Sequence, residues 1–334
     1  MFSPRIVLCY PVQESHLQQI AAAAPEAKVV NAGQEHIAEE LLAADIYCGH
    51  AKVPVPWKEV VEQGRLQWIQ SSAAGCDHCL VPEVIASDIP VTSASGVLAD
   101  QVSEHTVALI FSWLRSLPVF FEAQKKKEFI RRPTKDIHHL TIGIVGLGGV
   151  GRRIAEVLSV YKTKIMAVDL FPVNKPDHVE KLWHVDRLPE MLPEVDILIL
   201  SAPLNQQSRG MIRAEHFALM KPSALFVNVA RGPLVVERDL VKALKAKKIA
   251  GAVMDVTEVE PLAENSELWE MPNVIITPHV GGQSARRIDD MTDFFCENLK
   301  RWQRGEPLKN LVEKTLGFPI PQEKSATTVS EPSS

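Results

Sequence analysis

The chain has 334 residues, of which 46% are hydrophobic and 23% charged, and its formal net charge is −5. This composition is typical of a folded globular protein and predicts about two domains, each large enough for its own core. The slightly acidic balance argues against a protein that binds nucleic acid or an anionic membrane surface.

The N-terminal residues and the cysteines indicate the cellular compartment in which the protein is found. The first residues lead directly into an apolar run and lack the charged-then-apolar pattern of a signal peptide. The five cysteines are scattered along the chain, as expected for reduced thiols. No apolar run approaches the roughly 20 residues that a membrane span needs. We therefore expect a cytoplasmic protein.

The first hundred residues alternate between short apolar runs and amphipathic segments. The predicted strands are residues 5–10, 28–30, 45–48, 66–70 and 91–95, and the predicted helices between them are residues 14–23, 35–44 and 57–63. Strands that alternate with helices in this way predict a parallel sheet with helices on both faces. A long apolar helix over residues 101–116 follows, which we expect to be buried in a domain or subunit contact.

A glycine-rich turn opens the second half of the chain. An apolar run leads into Gly-Leu-Gly-Gly-Val-Gly at residues 146–151, which is followed by an amphipathic segment, predicted to be a helix over residues 152–161, and a second apolar run that ends at Asp169. Gly146 allows a tight turn, Gly148 lets the backbone approach a pyrophosphate, and Gly151 lets the helix pack on the strand. This order of elements predicts a dinucleotide site.

Asp169 indicates which dinucleotide is bound. A carboxylate at the end of the second strand can accept hydrogen bonds from both ribose hydroxyls and would repel a 2′-phosphate. Lys175, a little further along, is a cation that would weaken this repulsion. The sequence predicts NAD rather than NADP.

The later part of the chain extends the same sheet and then leaves it. Further strands are predicted at residues 196–200, 224–229, 251–254 and 274–276, with helices at residues 213–220 and 236–247. With the two strands around the glycine turn they form a sheet of about six parallel strands. We expect the last long helix, residues 286–304, to return to the first unit. Residues 318–334 are polar and proline-rich and are predicted to be disordered.

Three short stretches follow predicted strands of the second sheet and carry reactive side chains. They are Asn-Val-Ala-Arg-Gly at residues 228–232, Asp-Val-Thr-Glu-Val-Glu-Pro at residues 255–261, and Thr-Pro-His-Val-Gly-Gly at residues 277–282. Ligands of open α/β sheets bind at the carboxyl ends of the strands. An arginine, a carboxylate and a histidine are therefore predicted to converge at one edge of this sheet.

Together with the glycine turn, these stretches resemble the D-isomer-specific 2-hydroxyacid dehydrogenases over nearly the whole chain. The resemblance implies two doubly wound parallel-sheet α/β domains. It places a Rossmann-type NAD-binding domain, residues 101–285, within a flavodoxin-like substrate domain formed by residues 1–100 and 286–317. It also implies a homodimer that reduces a 2-keto acid, with Arg231, Glu260 and His279 as catalytic residues. The lack of a dense arginine cluster near Ala74 favours small unphosphorylated acids such as glyoxylate or hydroxypyruvate.

The chemistry of this reaction suits the three side chains. An imidazole titrates near neutral pH, so His279 can give a proton to the substrate oxygen or take it back. A carboxylate at hydrogen-bond distance favours the imidazolium and fixes its tautomer, which suits Glu260. The planar guanidinium of Arg231 can hold a substrate carboxylate and polarise its carbonyl.

The predicted binding residues extend beyond this triad. The cofactor-binding residues are Gly146, Gly148, Gly149, Val150, Gly151, Asp169, Ala202, Pro203, Ala230, Asp255, His279 and Gly281. The substrate-binding residues are Ala74, Gly75, Lys52, Arg231 and His279, with His50 as an alternative to Lys52. The Cys-Asp-His-Cys segment at residues 76–79 lacks a second cysteine pair, so no metal or redox site is predicted there.

Some features leave other functions open. Asn205 and Ser208 stand where the family usually has threonines. A corepressor of the same fold that senses NADH could keep all the motifs, as could an enzyme resembling phosphoglycerate dehydrogenase. An S-adenosylmethionine methyltransferase could share the glycine turn and the ribose-binding acid, but it gives no reason for the catalytic triad.

Overall fold

Two parallel β-sheets flanked by helices organise the computed structural model, which describes residues 3–321. The first sheet contains strands β1 Arg5–Cys9, β2 Lys28–Asn31, β3 Ile46–Gly49, β4 Trp68–Ser71 and β5 Val91–Thr92. Its helices are α1 Glu14–Ala23, α2 Ile37–Glu40, α3 Trp57–Glu62 and α4 Pro82–Ala86. The strand order β2-β1-β3-β4-β5 is that of a flavodoxin-like doubly wound sheet.

The second sheet begins after two helices, α5 Ala99–Leu114 and α6 Leu117–Lys125. Its strands are β6 Thr141–Val145, β7 Lys164–Asp169, β8 Lys181–His184, β9 Ile197–Leu200, β10 Leu225–Asn228, β11 Gly251–Met254 and β12 Val274–Ile276. Its helices are α7 Gly149–Ser159, α8 Leu188–Met191, α9 Ala214–Leu219 and α10 Glu237–Lys245. All neighbouring strands run parallel in the order β12-β11-β10-β9-β6-β7-β8, which confirms the predicted dinucleotide-binding sheet.

The sheet is one strand wider than the sequence predicted, because β8 lies at its edge. The strand is only partly buried, so it lacks the continuous apolar run that marks the inner strands. Its Trp183 is covered by the side chains of Lys181 and Arg187, each within about 5 Å of the ring. Trp183 is thus covered by cationic rather than apolar side chains, so β8 lacks the apolar pattern from which a strand is predicted.

The apolar helix α5 is buried mainly against α7 rather than exposed. Its Leu109, Ile110 and Leu114 join the core between the helices and the second sheet. In the part of the chain that the structure describes, no single helix is long and apolar enough to cross a bilayer. Only α5 and α6 taken together, bent by 67° at their junction, reach that length and composition.

The last helix, α11 Arg287–Gln303, packs on the first sheet. Its Phe295 and Leu299 are buried beside Trp68. The side chain of Asp289 accepts a hydrogen bond from His16 on α1 at 2.8 Å. The chain therefore passes from the first sheet to the second and back, whereas the exact domain limits at residues 100 and 286 stay predictions.

The chain ends its described part in a short antiparallel pair, β13 Val312–Glu313 with β14 Phe318–Pro319. The prediction of disorder from residue 318 was therefore wrong for Phe318 and Pro319. These residues are ordered by the strand pairing and by a ring contact between Phe318 and Phe171. Residues 322–334, the remainder of the predicted tail, lie outside the described residues.

Candidate active site

The glycine turn, residues 146–151, joins the end of β6 to the start of α7. Gly146 has a φ of +92°, which residues with a Cβ rarely adopt. A Cβ on Gly151 would collide with the carbonyl oxygen of Gly146, so the helix could not sit this close to the strand. A Cβ on Gly148 would meet nothing within 4 Å, so the turn is open where a phosphate would approach.

The helix α7 begins within this turn. The sequence predicted its start at Arg152, but the helix begins one turn earlier, at Gly149. Glycine has low helix propensity, which explains the late predicted start. The early start puts the unpaired N–H groups and the positive end of an 11-residue helix inside the turn. The turn therefore fits a pyrophosphate.

Asp169 holds the turn from the end of β7. Its Oδ2 accepts a hydrogen bond from the backbone N–H of Leu147 at 2.6 Å, and its Oδ1 accepts one from Phe171 at 2.8 Å. Each carboxylate oxygen can accept more than one hydrogen bond, so both can still accept from ribose hydroxyls. The fixed position of this carboxylate fits the adenosine ribose of a dinucleotide.

Glu260 and His279 form a hydrogen-bonded pair at the carboxyl edge of the same sheet. The Nδ1–H of His279 donates to Oε2 of Glu260 at 2.8 Å, and Oε1 of Glu260 accepts the backbone N–H of Thr257 at 3.2 Å. The side chain of His279 is 47% exposed and that of Glu260 38%. The pair therefore engages one ring nitrogen, while the other, Nε2, has no hydrogen bond among the described residues.

The loop that carries His279 is held by Asp255, which is buried. Its Oδ1 accepts hydrogen bonds from Oγ1 of Thr277 at 2.6 Å and from the backbone N–H of Val280 at 2.9 Å. Its Oδ2 accepts the N–H of Gly281 at 2.7 Å. Both carboxylate oxygens thus shape the loop. A role of Asp255 in cofactor binding stays a prediction.

The backbone of His279 itself is unusual. Its φ of +54° lies in the left-handed region, where a side chain with a Cβ costs about 1–2 kcal/mol. Its N–H donates to the carbonyl oxygen of Asp255 at 2.7 Å, which holds the residue in this conformation. His105 on α5 adds a brace, because its Nε2 lies 2.9 Å from Oγ1 of Thr277 and 3.2 Å from Oδ1 of Asp255. The surrounding contacts therefore fix the direction of the imidazole.

Arg231 links the two sheets. Its Nη1 donates to the carbonyl oxygen of Ala230 at 2.8 Å, which orients the guanidinium. A Cβ on Gly75, in the loop after β4, would lie 2.5 Å from Nη2 of Arg231 and 2.7 Å from Oδ1 of Asp77. The predicted substrate loop therefore lies directly against the guanidinium, and a larger residue at position 75 would displace the side-chain ends of Arg231 and Asp77.

A series of contacts connects Arg231 to His279. Gly232, the next residue, lies so close to Thr257 that a Cβ would overlap its carbonyl group. The N–H of Thr257 donates to Glu260, which in turn accepts from His279. The three predicted catalytic residues therefore belong to adjoining loops, and their catalytic roles are taken up below as a proposal.

Two histidines lie beside this site. The rings of His50 and His78 stack 4.0 Å apart and nearly parallel, and Nε2 of His78 donates to the carbonyl oxygen of Gly49 at 3.2 Å. Burial lowers the pKa of His78 to about 4, and it also lowers the pKa of His50. Both rings are therefore neutral at pH 7. Lys52, predicted to bind substrate, is exposed on the surface.

The cysteines next to the substrate loop are buried. Cys76 and Cys79 are free thiols, and Sγ of Cys79 lies 3.4 Å from the carbonyl oxygen of Cys76. The neighbouring thiol of Cys76 and burial raise the pKa of Cys79 well above its usual value, so it is a poor nucleophile. Within residues 3–321, no group of three or more His, Cys, Asp or Glu residues is placed to hold a metal ion.

Some residues around this site were missed by the sequence analysis. His105 lies in the middle of an apolar helix and His78 within the Cys-Asp-His-Cys segment, so neither position follows a predicted strand. The hydrogen bond of His105 to Thr277 joins residues 172 positions apart, and no local pattern could indicate it.

The sequence profile of the D-isomer specific 2-hydroxyacid dehydrogenase NAD binding domain matches residues 107–281. A glyoxylate reductase from Pyrococcus furiosus is 33% identical over 271 residues, which cover 78% of this chain and 80% of that protein. A glycerate dehydrogenase from Methylorubrum extorquens is 32% identical over 289 residues, covering 84% and 88% of the two chains.

A solved structure resembles both units together. It is an NADPH-dependent glyoxylate/hydroxypyruvate reductase from Sinorhizobium meliloti in complex with NADP and sulfate. Its TM-score is 0.80 at 27% sequence identity, and the match covers 95% of this chain and 100% of that chain. The likeness extends over the substrate unit as well as the dinucleotide-binding sheet.

Proposed function

Because this chain belongs to the D-isomer-specific 2-hydroxyacid dehydrogenase family, we propose that it reduces glyoxylate or hydroxypyruvate with NADH. Its family makes it an oxidoreductase that acts on CH–OH donors and uses a nicotinamide dinucleotide. The observation that carries the proposal is the contact series from Arg231 through Thr257 and Glu260 to His279. It supports one site that combines an anion-binding group with an acid/base.

Each member of this site has one task. The guanidinium of Arg231 and the backbone N–H groups near Ala74 and Gly75 bind the substrate carboxylate. The Nε2–H of His279 donates a proton to the carbonyl oxygen, and Glu260 stabilises the imidazolium before that transfer. The bound dinucleotide supplies the hydride. The glycine turn and Asp169 hold the pyrophosphate and the adenosine ribose.

The surroundings of the site favour a small substrate without a phosphate group. The stacked rings of His50 and His78 lie within electrostatic range of Arg231 and are uncharged at pH 7, so these two rings offer hydrogen bonds rather than positive charge, and the charged groups that act on His50 are Asp77, Lys52, Arg231 and Arg287. A neutral imidazole can bind a hydroxyl group. We therefore expect glyoxylate and hydroxypyruvate to be better substrates than 3-phosphohydroxypyruvate.

We expect the purified protein to oxidise NADH when glyoxylate or hydroxypyruvate is added. Its kcat/KM with 3-phosphohydroxypyruvate should be at least about tenfold lower, because the two uncharged histidine rings would not pair with a dianionic phosphate as a guanidinium does. The measurement is the decrease of NADH absorbance at 340 nm over a panel of 2-keto acids that includes pyruvate. NADH binding without turnover of any acid would contradict the enzyme and favour a protein that only senses the dinucleotide.

The position of Asp169 supports NAD rather than NADP, although the S. meliloti relative is NADPH-dependent. The carboxylate is fixed at the turn and cannot move away from a 2′-phosphate. We expect kcat/KM to favour NADH, and we expect Asp169→Ser to change that ratio toward NADPH by about tenfold or more, the effect of one removed charge repulsion. Steady-state kinetics with both cofactors measures the ratio.

The matched control for this change is Asp177→Ser, which removes an exposed carboxylate from the loop that follows β7. It should leave the cofactor ratio unchanged, because among the described residues no hydrogen bond or ion pair joins Asp177 to the glycine turn. If both variants shift the ratio equally, general surface charge rather than the Asp169 carboxylate selects the cofactor.

We also propose that the protein is a cytoplasmic homodimer. The helix α6 and the segment after it expose large apolar side chains, with Phe121 at 56%, Phe129 at 94% and Ile130 at 43% exposure. Large apolar side chains exposed within one short segment are a feature of protein–protein interfaces. This surface adjoins the apolar helix α5, which the sequence had assigned to such a contact.

A further inference from the structure

The C-terminal hairpin, residues 312–319, starts on the first unit. Val312 is buried in the core of the first sheet. The ammonium group of Lys314 donates to the carbonyl oxygens of Val84 at 3.0 Å and Ser87 at 2.5 Å. Just before the hairpin, Leu311 forms a β-bridge with Thr92. One side of the hairpin is therefore firmly attached to the substrate unit.

The other side of the hairpin reaches the dinucleotide-binding unit at two points. Nδ2 of Asn205 donates to the carbonyl oxygen of Leu316 at 3.0 Å. The ring of Phe318 lies against the ring of Phe171, with 6.3 Å between the centroids and 61° between the planes. These contacts join residues that are far apart in the sequence, so they form only when the hairpin packs against the dinucleotide-binding unit.

Both contact points flank the predicted adenosine site. Asn205 lies in the loop after β9 and Phe171 in the loop after β7, and these strands are the two neighbours of β6 in the sheet. The crevice between these loops is where a doubly wound sheet binds its nucleotide. The N–H of Phe171 also donates to Asp169, so its ring starts next to the ribose-binding carboxylate. The hairpin therefore spans the outer end of this crevice.

Asn205 is suited to hold the hairpin there. Its Oδ1 accepts hydrogen bonds from the backbone N–H groups of Gln207 and Ser208, both at 2.9 Å, which leaves its amide group free to donate to Leu316. A threonine, the residue usual in the family at this position, could accept the first bonds through its hydroxyl group but has no amide to reach the hairpin. The departure from the family pattern thus has a structural consequence.

We propose that Phe318 is a further cofactor-binding residue, which contacts the adenine base together with Phe171 while the Asn205–Leu316 hydrogen bond keeps the hairpin in place. The proposal rests on the use of a nicotinamide dinucleotide argued above. An aromatic ring beside a ribose-binding carboxylate can pack on the base that the ribose carries. Since the hairpin belongs to the substrate unit, binding of adenine also joins the two units across the cleft.

The test compares ligands that contain adenine with one that does not. We expect Phe318→Ala to raise the Kd of NADH and of ADP-ribose by about tenfold, the effect of one aromatic contact on a base. The Kd of reduced nicotinamide mononucleotide should stay unchanged. Isothermal titration calorimetry measures all three without turnover. Asn205→Thr should weaken NADH and ADP-ribose in the same direction, because it removes the donor to Leu316.

Two further variants separate contact with the base from a structural role. Phe318→Tyr keeps the ring and should bind NADH as the wild type does, whereas Trp269→Ala removes a ring that is 54% exposed outside the hairpin and should leave all three Kd values unchanged. Unchanged ADP-ribose affinity in Phe318→Ala, or an equal loss for all three ligands, would overturn the inference. Wild-type protein that fails to bind NADH would instead contradict the proposed function.

Discussion

Replacing His279 with glutamine is expected to lower kcat by about 10²- to 10⁴-fold while NADH affinity is retained. Glutamine has a similar length and can form a hydrogen bond, but it cannot give up a proton at neutral pH. The ring is fixed by Glu260 at 2.8 Å and by the left-handed backbone at residue 279, so no other group can easily take its place. Steady-state kinetics with glyoxylate, together with NADH titration by fluorescence, measures both quantities.

Two comparisons make this result specific. Glu260→Gln should lower kcat less than His279→Gln does, because the imidazole remains but loses the carboxylate that stabilises its charged form. His36→Gln changes an exposed histidine of the first unit and should leave kcat unchanged. Near-normal turnover in His279→Gln would remove this residue from the mechanism, and loss of NADH binding would indicate a structural role.

The fold could be predicted largely because parallel strands buried on both faces are continuous apolar runs. Ile142–Val145 and Ile197–Leu200 have this pattern, and both are inner strands. The edge strand β8 does not, because it is half-exposed and its Trp183 packs under charged side chains. The strand β14 contains a proline and pairs over only two residues, so it has no sequence pattern of its own.

In the candidate site, too, some features could be predicted from the sequence and others could not. Arg231, Glu260 and His279 could be placed together because each follows a strand of one parallel sheet, and strand ends meet at a common edge. The contacts of His105 and Asn205 could not be predicted, because they join segments more than a hundred positions apart. The first contact depends on how distant segments pack within the dinucleotide-binding unit and the second on how the two units meet, and local periodicity contains no information about either.

Replacing Arg231 with lysine is expected to lower kcat/KM for the keto acid by about 10- to 150-fold, although the positive charge is kept. The guanidinium donates through Nη1 to Ala230 and presents Nη2 at Gly75, so in the proposed mechanism one group both anchors itself and binds the substrate carboxylate. A lysine ammonium cannot do both in this geometry. The loss of one charge-assisted hydrogen bond, about 1.5–3 kcal/mol, corresponds to this range.

A rescue experiment separates the shape of the guanidinium from its charge. Arg231→Ala should be slower still, and added guanidinium ion should restore part of its activity, because the ion can occupy the space beside Gly75 and bind the substrate carboxylate in two places. Ammonium ion should restore less, since it lacks the planar pair of donors.

Arg286→Lys, at an exposed arginine, is the matched control and should keep the wild-type kcat/KM. Normal kcat/KM in Arg231→Lys, or equal rescue by both ions, would show that positive charge alone suffices and that two-point binding of the carboxylate is not required.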